Sequence, residues 1–66
     1  MSEKTAKEFI DKHLAEVKKL DEFDRVIYTI GGFISAIIYM GDYELWDIIS
    51  EYWDKKFDEK IADLSE

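Results

Sequence analysis

The sequence lacks the residues that most often reinforce a small protein. It has no cysteine, which excludes disulfides and thiolate metal sites, and its one histidine cannot form a zinc site alone. A chain of 66 residues buries only ~60% of its unfolded surface, so its stability is marginal without reinforcement. Oligomerisation is the reinforcement that remains, and a hydrophobic content of 47% favours it.

Motifs that carry catalytic or cofactor chemistry are also missing. Gly31-Gly32 lies inside an apolar segment and not after a strand, so it does not form a phosphate-binding loop. No serine has a neighbouring base, and His13 is expected to be a half-buried, hydrogen-bonded core residue. The sequence therefore predicts a protein that is not an enzyme and has no cofactor or metal.

The excess of acidic residues limits the choice of partner. A net charge of −7 and a pI of about 4.6 disfavour direct binding to nucleic acid or to an anionic membrane, and favour a basic protein surface. The central apolar run, Val26 to Met40, has 15 residues, short of the ~20 that span a bilayer. The charged N-terminus does not resemble a signal peptide, so we expect a cytoplasmic protein.

Apolar residues recur at helical spacing throughout the chain, and no strand alternation is present. We predict an all-α fold, a small three-helix bundle or helical hairpin completed by homo-oligomerisation, with helices at about 5–19, 22–40 and 43–62 in a single domain, 1–66. The predicted helix starts are a capping box at Thr5 to Glu8 and an N-cap at Asp21. Gly41-Asp42 predicts a compact junction between the last two helices.

The second predicted helix carries two different faces. Its main apolar face is Phe23, Val26, Ile27, Ile30, Phe33, Ile34, Ile37 and Ile38. The opposite face has small residues between two tyrosines, which predicts an oligomer interface formed by Tyr28, Gly31, Gly32, Ser35 and Tyr39. The glycine pair has two interpretations, because it permits close approach of another backbone and is also typical of a kink or a helix break.

The third predicted helix has two apolar faces, and we expect only one to pack on a three-helix core. The first face is Leu45, Ile48, Ile49 and Tyr52; the second is Tyr43, Trp46, Trp53 and Phe57. Tryptophan and tyrosine are enriched at interface hot spots. We therefore expect the second face to be buried against a partner or another subunit.

Five acidic residues form a separate stripe on the same helix, at positions three and four apart: Glu44, Asp47, Glu51, Asp54 and Asp58. From Asp42 to Asp54 there are five acids and no basic residue. Such a stripe is either a docking surface for a basic groove or a solvated face of an acidic protein.

Together these features predict a small, non-enzymatic protein-binding module. Its partner-binding residues would be the acidic stripe and the second face, and it would inhibit or regulate a basic, nucleic-acid-binding protein by occluding it. In being short, acidic, helical and free of cysteine and proline, the chain resembles small phage-encoded or mobile-element regulators that disable a host protein. The alternatives are a self-assembling structural protein and a helical bundle that holds a small ligand between Tyr28, Tyr39 and His13.

Overall fold

A computed structural model describes residues 1–65 as a bundle of three helices. The helices are α1 (Glu3–Ala15), α2 (Phe23–Tyr39) and α3 (Tyr43–Ser65), and a short 3₁₀ turn, Leu20–Glu22, precedes α2. Each helix packs against the other two, and the described residues contain no strand. The all-α prediction is confirmed in its three-helix form. No helix in this part of the chain combines the length and apolarity that crossing a bilayer requires.

Helix α1 begins and ends earlier than predicted. The predicted capping box at Thr5 to Glu8 is wrong: the Ser2 hydroxyl is the N-cap and accepts a hydrogen bond from the Thr5 amide at 3.1 Å. Ser2 is an equally good cap one turn upstream, so the helix gains a turn. The helix stops at Ala15 and not near residue 19, which gives the chain room to reverse while Val17 stays buried.

The start of α2 does not use the predicted N-cap at Asp21. The 3₁₀ turn runs directly into the helix, and its backbone hydrogen bonds, such as Glu22 N–H to the Lys19 carbonyl at 3.1 Å, satisfy amides that a cap would otherwise bind. The Glu22 carboxylate instead accepts a 2.7 Å hydrogen bond from the Lys18 amide and so holds the preceding loop.

Helix α2 is continuous through Gly31-Gly32, so a break into two helices at this point is wrong. Close packing inside one chain is not found either. Beyond the backbone of its own helix, a Cβ atom at either glycine would have no neighbour within 4 Å. Both glycines therefore lie on the open outer surface of the bundle.

The junction between α2 and α3 is the predicted one. Gly41 adopts a φ of 80°, a left-handed conformation that favours glycine at the end of a helix. Its amide donates to the Ile38 carbonyl at 3.0 Å, and the Asp42 amide donates to the Ile37 carbonyl at 3.4 Å. Asp42 then caps α3, since its Oδ1 accepts from the Leu45 amide at 3.1 Å.

The core consists of mainly aliphatic residues from all three helices and from the loop after α1: Ala6, Ile10, Leu14, Val17, Phe23, Val26, Ile30, Ile37, Leu45 and Ile49. Helix α3 packs along both α1 and α2, so both of its apolar faces contact this core. The expectation that only one of them would pack is wrong. Leu45 and Ile49 of the first face are buried, and Trp46, Trp53 and Phe57 of the second face are partly buried against the same cluster.

Candidate protein-binding surfaces

The acidic stripe lies on the side of α3 that faces solvent. All five of its residues are exposed, whereas Ile49, on the opposite side of the helix, has no exposed surface. From Glu44 to Asp58 the stripe extends about 21 Å along a single helix. The five carboxylates are therefore held in one line by continuous helical backbone.

No cation neutralises this stripe within the part of the chain that the structure describes. The ion pairs there join Lys7 to Glu3 at 2.8 Å and Lys56 to Glu59 at 3.6 Å, and neither includes a stripe residue. Basic residues are concentrated elsewhere, and the segment from Asp42 to Glu66 contains nine acids and three lysines. Among residues 1–65, no stripe carboxylate is therefore in an ion pair, and the only basic residues within the span of the stripe are Lys55 and Lys56, near its C-terminal end.

The aromatic residues beside the stripe differ in how much surface they offer. Tyr43 is 68% exposed, so its ring is free. Trp46, Trp53 and Phe57 are half-buried, and Phe57 packs edge-to-face against both Trp53 and Phe23 with ring centroids 5.2 Å apart. The second face of α3 therefore offers one free tyrosine and the exposed edges of three rings that also pack against the core.

The outer face of α2 is the second candidate surface. All five residues predicted to form an oligomer interface are exposed, with Tyr28 at 86% and Tyr39 at 90%. Sequence reasoning placed Ile27 on the core face, but the structure shows it 41% exposed at the edge of this surface. Met40, 64% exposed, was not predicted. Neither residue is distinguishable from core residues by hydrophobic spacing alone.

His13 is a structural residue in this fold. Its Nδ1 lies 2.8 Å from the Phe9 carbonyl oxygen, and its ring centroid is 4.2 Å from that of Phe9, which in turn stacks on Phe33. A carbonyl oxygen only accepts, so Nδ1 carries the proton. The prediction of a half-buried, hydrogen-bonded histidine is confirmed. Tyr28 and Tyr39 lie on the outer surface, so they do not share an interior cavity with His13.

Tyr52 forms a polar contact that the sequence did not indicate. Its hydroxyl donates a 2.6 Å hydrogen bond to Asp11 Oδ1, which joins α3 to α1. Partial burial, together with the hydrogen bond and the negative charge of Asp11, raises the pKa of Tyr52 to about 12. This tyrosine therefore stays protonated as a hydrogen-bond donor over the neutral range.

The geometry defines the class of protein as a small all-α bundle with two free surfaces, one acidic and one uncharged. Comparison of the chain with known protein families, with curated proteins and with solved structures finds no match. The case for a function therefore depends on the surfaces themselves.

Proposed function

We propose that this protein is a non-enzymatic binding module that docks its acidic stripe into a basic groove of another protein. The observation that carries the proposal is the line of five exposed carboxylates on α3, none of which is in an ion pair in the described part of the chain. Successive like charges on a helix repel, so a surface serving only solubility gains nothing from this arrangement. A basic partner would relieve the repulsion and would be attracted over long range.

The spacing of the stripe supports a partner whose groove accommodates nucleic acid. Five carboxylates over about 21 Å give roughly one negative charge per 5 Å of helix. A DNA strand carries one per ~3.4 Å. The stripe is therefore a less dense imitation of a phosphate backbone, and occupation of such a groove would exclude the nucleic acid. An inhibitor or regulator of the phage-encoded type would act in this way.

Tyr43 and the exposed edges of Trp46 and Trp53 would supply the apolar part of the contact. Charge complementarity mainly sets the association rate and the choice of partner, whereas buried aromatic residues supply most of the affinity. Because the tryptophans are already packed against the core, they would enter the interface with little loss of side-chain freedom.

The test compares two variants with the same net charge. One neutralises the stripe by Glu44→Gln, Asp47→Asn, Glu51→Gln and Asp54→Asn; the control neutralises four exposed acids elsewhere, by Glu8→Gln, Glu16→Gln, Asp21→Asn and Asp63→Asn. Affinity capture from a cell lysate with each protein should recover a basic partner with the wild type and the control but not with the stripe variant. Duplex DNA should compete. Equal capture by both variants at every salt concentration would contradict the proposal.

A second candidate function is self-assembly, in which the acids serve only solubility. The exposed outer face of α2 favours it. Sedimentation of the isolated protein separates the two candidates: a large oligomer formed without a foreign ligand supports self-assembly, and a monomer or dimer that captures a basic protein supports the binding module.

A further inference from the structure

The outer face of α2 is uncharged in an otherwise strongly charged molecule. From Val26 to Met40 the chain carries no charged residue, although its net charge is −7. Large side chains on this face are nevertheless in solvent. Two copies of an acidic protein repel wherever their charged surfaces meet, so this face is where a second copy can approach at least electrostatic cost.

Eight exposed residues from Ile27 to Met40 have a similar order when read from either end of this segment. They occur in pairs equidistant from the point between Phe33 and Ile34, and Thr29, which is also exposed, lacks an exposed counterpart because Ile38 is half-buried. Small residues are nearest that point, tyrosines lie further out, and large aliphatic residues lie beyond them. The pairs are Gly32 with Ser35, Gly31 with Ala36, Tyr28 with Tyr39, and Ile27 with Met40. A two-fold symmetric contact requires a surface that is complementary to itself, and this order provides one.

We propose that the protein forms a two-fold symmetric dimer in which the α2 helices of two copies pack antiparallel across this face. The small residues would lie at the crossing, where the absence of bulky side chains permits close approach. Tyr28 would lie level with the partner's Tyr39 on one side of the crossing, and Tyr39 level with the partner's Tyr28 on the other. This proposal does not depend on the function of the acidic stripe.

Charges at the two ends of α2 favour the antiparallel direction. In a parallel pair, Arg25 would face the partner's Arg25, and Asp42 would face the partner's Asp42. In the antiparallel pair, Arg25 lies level with the partner's Asp42 in the junction after α2, and this attraction is partly offset by Asp24, which is exposed beside Arg25. The helix macrodipoles also oppose each other in this arrangement, whereas in a parallel pair like ends would meet.

Exposed side chains supply part of the area that a stable contact needs. Aromatic side chains bury at least ~150 Å² each, so Tyr28 and Tyr39 together offer roughly 300 Å². A standard interface buries about 800 Å² per partner. The two tyrosines thus provide somewhat more than a third of that area, and Ile27, Met40 and the exposed backbone at the glycines contribute to the remainder.

Disulfide trapping tests the direction of pairing, because the natural chain has no cysteine and any disulfide of a single-cysteine variant joins two chains. In the antiparallel dimer, position 35 and its copy are about 4.5 Å apart along the helix axis, and with helix axes about 8 Å apart their Cα atoms lie roughly 6 Å from each other. Ser35→Cys should therefore link to itself under mild oxidation, since disulfides form at Cα distances of about 4.4–6.8 Å. Asp47→Cys, exposed on the acidic stripe, is the control for random collision.

Tyr28→Cys and Tyr39→Cys distinguish the two directions. Position 28 and its copy are about 16 Å apart in the antiparallel dimer, so Tyr28→Cys alone should not link. A mixture of Tyr28→Cys with Tyr39→Cys should give the mixed disulfide. Self-linkage of Tyr28→Cys at the rate of Ser35→Cys would indicate parallel pairing and overturn the proposal.

Sedimentation equilibrium from micromolar to millimolar concentration measures the association itself. Gly32→Ala should weaken dimerisation about tenfold or more, because a methyl group at the crossing holds the helices apart. The proposal is overturned if the wild type stays monomeric throughout this range, or if Ser35→Cys links no faster than Asp47→Cys. If the wild type is monomeric, the outer face of α2 does not bind a second copy of this chain, and a different protein would be the candidate partner for it.

Discussion

The Tyr52 hydroxyl and the Asp11 carboxylate, 41 positions apart in the chain, form a 2.6 Å hydrogen bond that fastens α3 to α1. The Nζ atoms of Lys7 and Lys56 lie 5.1 Å and 5.5 Å from the centre of the Tyr52 ring, so each lysine makes a cation–π contact with the same tyrosine. Helix α1 is thus held by a polar contact at the edge of the bundle as well as by the core.

This contact should make stability depend on pH in the alkaline range. The folded protein raises the pKa of Tyr52 to about 12, above the value of ~10 for an unfolded tyrosine. The stabilisation is therefore fully present below about pH 10 and is lost as the pH rises through the folded value. We expect Tyr52→Phe to lower the free energy of unfolding by about 1 kcal/mol at neutral pH. Urea unfolding of both proteins across the pH range should show the difference shrinking above pH ~10.

Asp11→Asn is the matched control for the role of charge. It keeps an acceptor oxygen but removes the negative charge, so the pKa of Tyr52 should move down towards its ordinary value. Tyrosinate absorbance, compared with the Tyr52→Phe background, reports this titration. An unchanged titration in Asp11→Asn would mean that the carboxylate does not influence Tyr52.

Alanine at the two glycines of α2 should stabilise the isolated bundle. A Cβ at Gly31 or Gly32 has open space around it, and glycine inside a helix costs roughly 1 kcal/mol relative to alanine. Gly31→Ala and Gly32→Ala should each raise the melting temperature of the monomer at low protein concentration. Gly41→Ala is the contrasting change, because its φ of 80° should make alanine destabilising by about 1–2 kcal/mol. If Gly31→Ala and Gly32→Ala also destabilise the monomer, other atoms of the same chain must lie against the two glycines, and the open space around them would be wrong.

Ile30 and Ile27 provide a matched pair on one helix. Ile30 is fully buried and Ile27 is 41% exposed. Ile30→Ala should lower the free energy of unfolding by about 2–5 kcal/mol, because it removes core contacts and leaves a cavity. Ile27→Ala should change it by less than about 1 kcal/mol, measured by the same denaturant titration. Equal losses at the two positions would contradict the orientation of α2.

Removal of the acidic stripe should stabilise the fold even though it is expected to weaken partner binding. Glu44, Asp47, Glu51, Asp54 and Asp58 make four successive like-charge pairs, each unfavourable by about 0.2–0.5 kcal/mol. The stripe variant should therefore unfold at higher temperature than the wild type at low salt, by less than the sum of these pairs because Glu44 lies in the first turn of α3, where the helix dipole favours an acid. Added salt should narrow the gap, because it screens the exposed charges. A lower melting temperature would show that these acids support the fold and would weaken the functional interpretation.

Sequence reasoning succeeded where the controlling signal is local. Helical periodicity predicted the all-α class, and Gly41-Asp42 predicted the junction before α3, because left-handed glycine and an aspartate cap act within a few residues. The five residues of the interface predicted on α2 recur on one side of a single helix and are all exposed in the structure, and the interface itself stays a prediction.

Features that depend on tertiary packing were missed. The end of α1 is set by the burial of Val17 in the loop, and hydrophobic spacing alone reads Val17 as one more helical residue. Contact of both faces of α3 with the core depends on how it lies along α1 and α2. The bond from Tyr52 to Asp11 has no local signature, because its partners meet only after the helices have assembled.

The tight turn at Gly41 also affects how the chain folds. Only three residues separate α2 from α3, so packing these two helices together costs little loop-closure entropy. The connection from α1 to α2 is longer, so closing it costs more. We expect the C-terminal helical hairpin to form first and to serve as the template on which α1 docks.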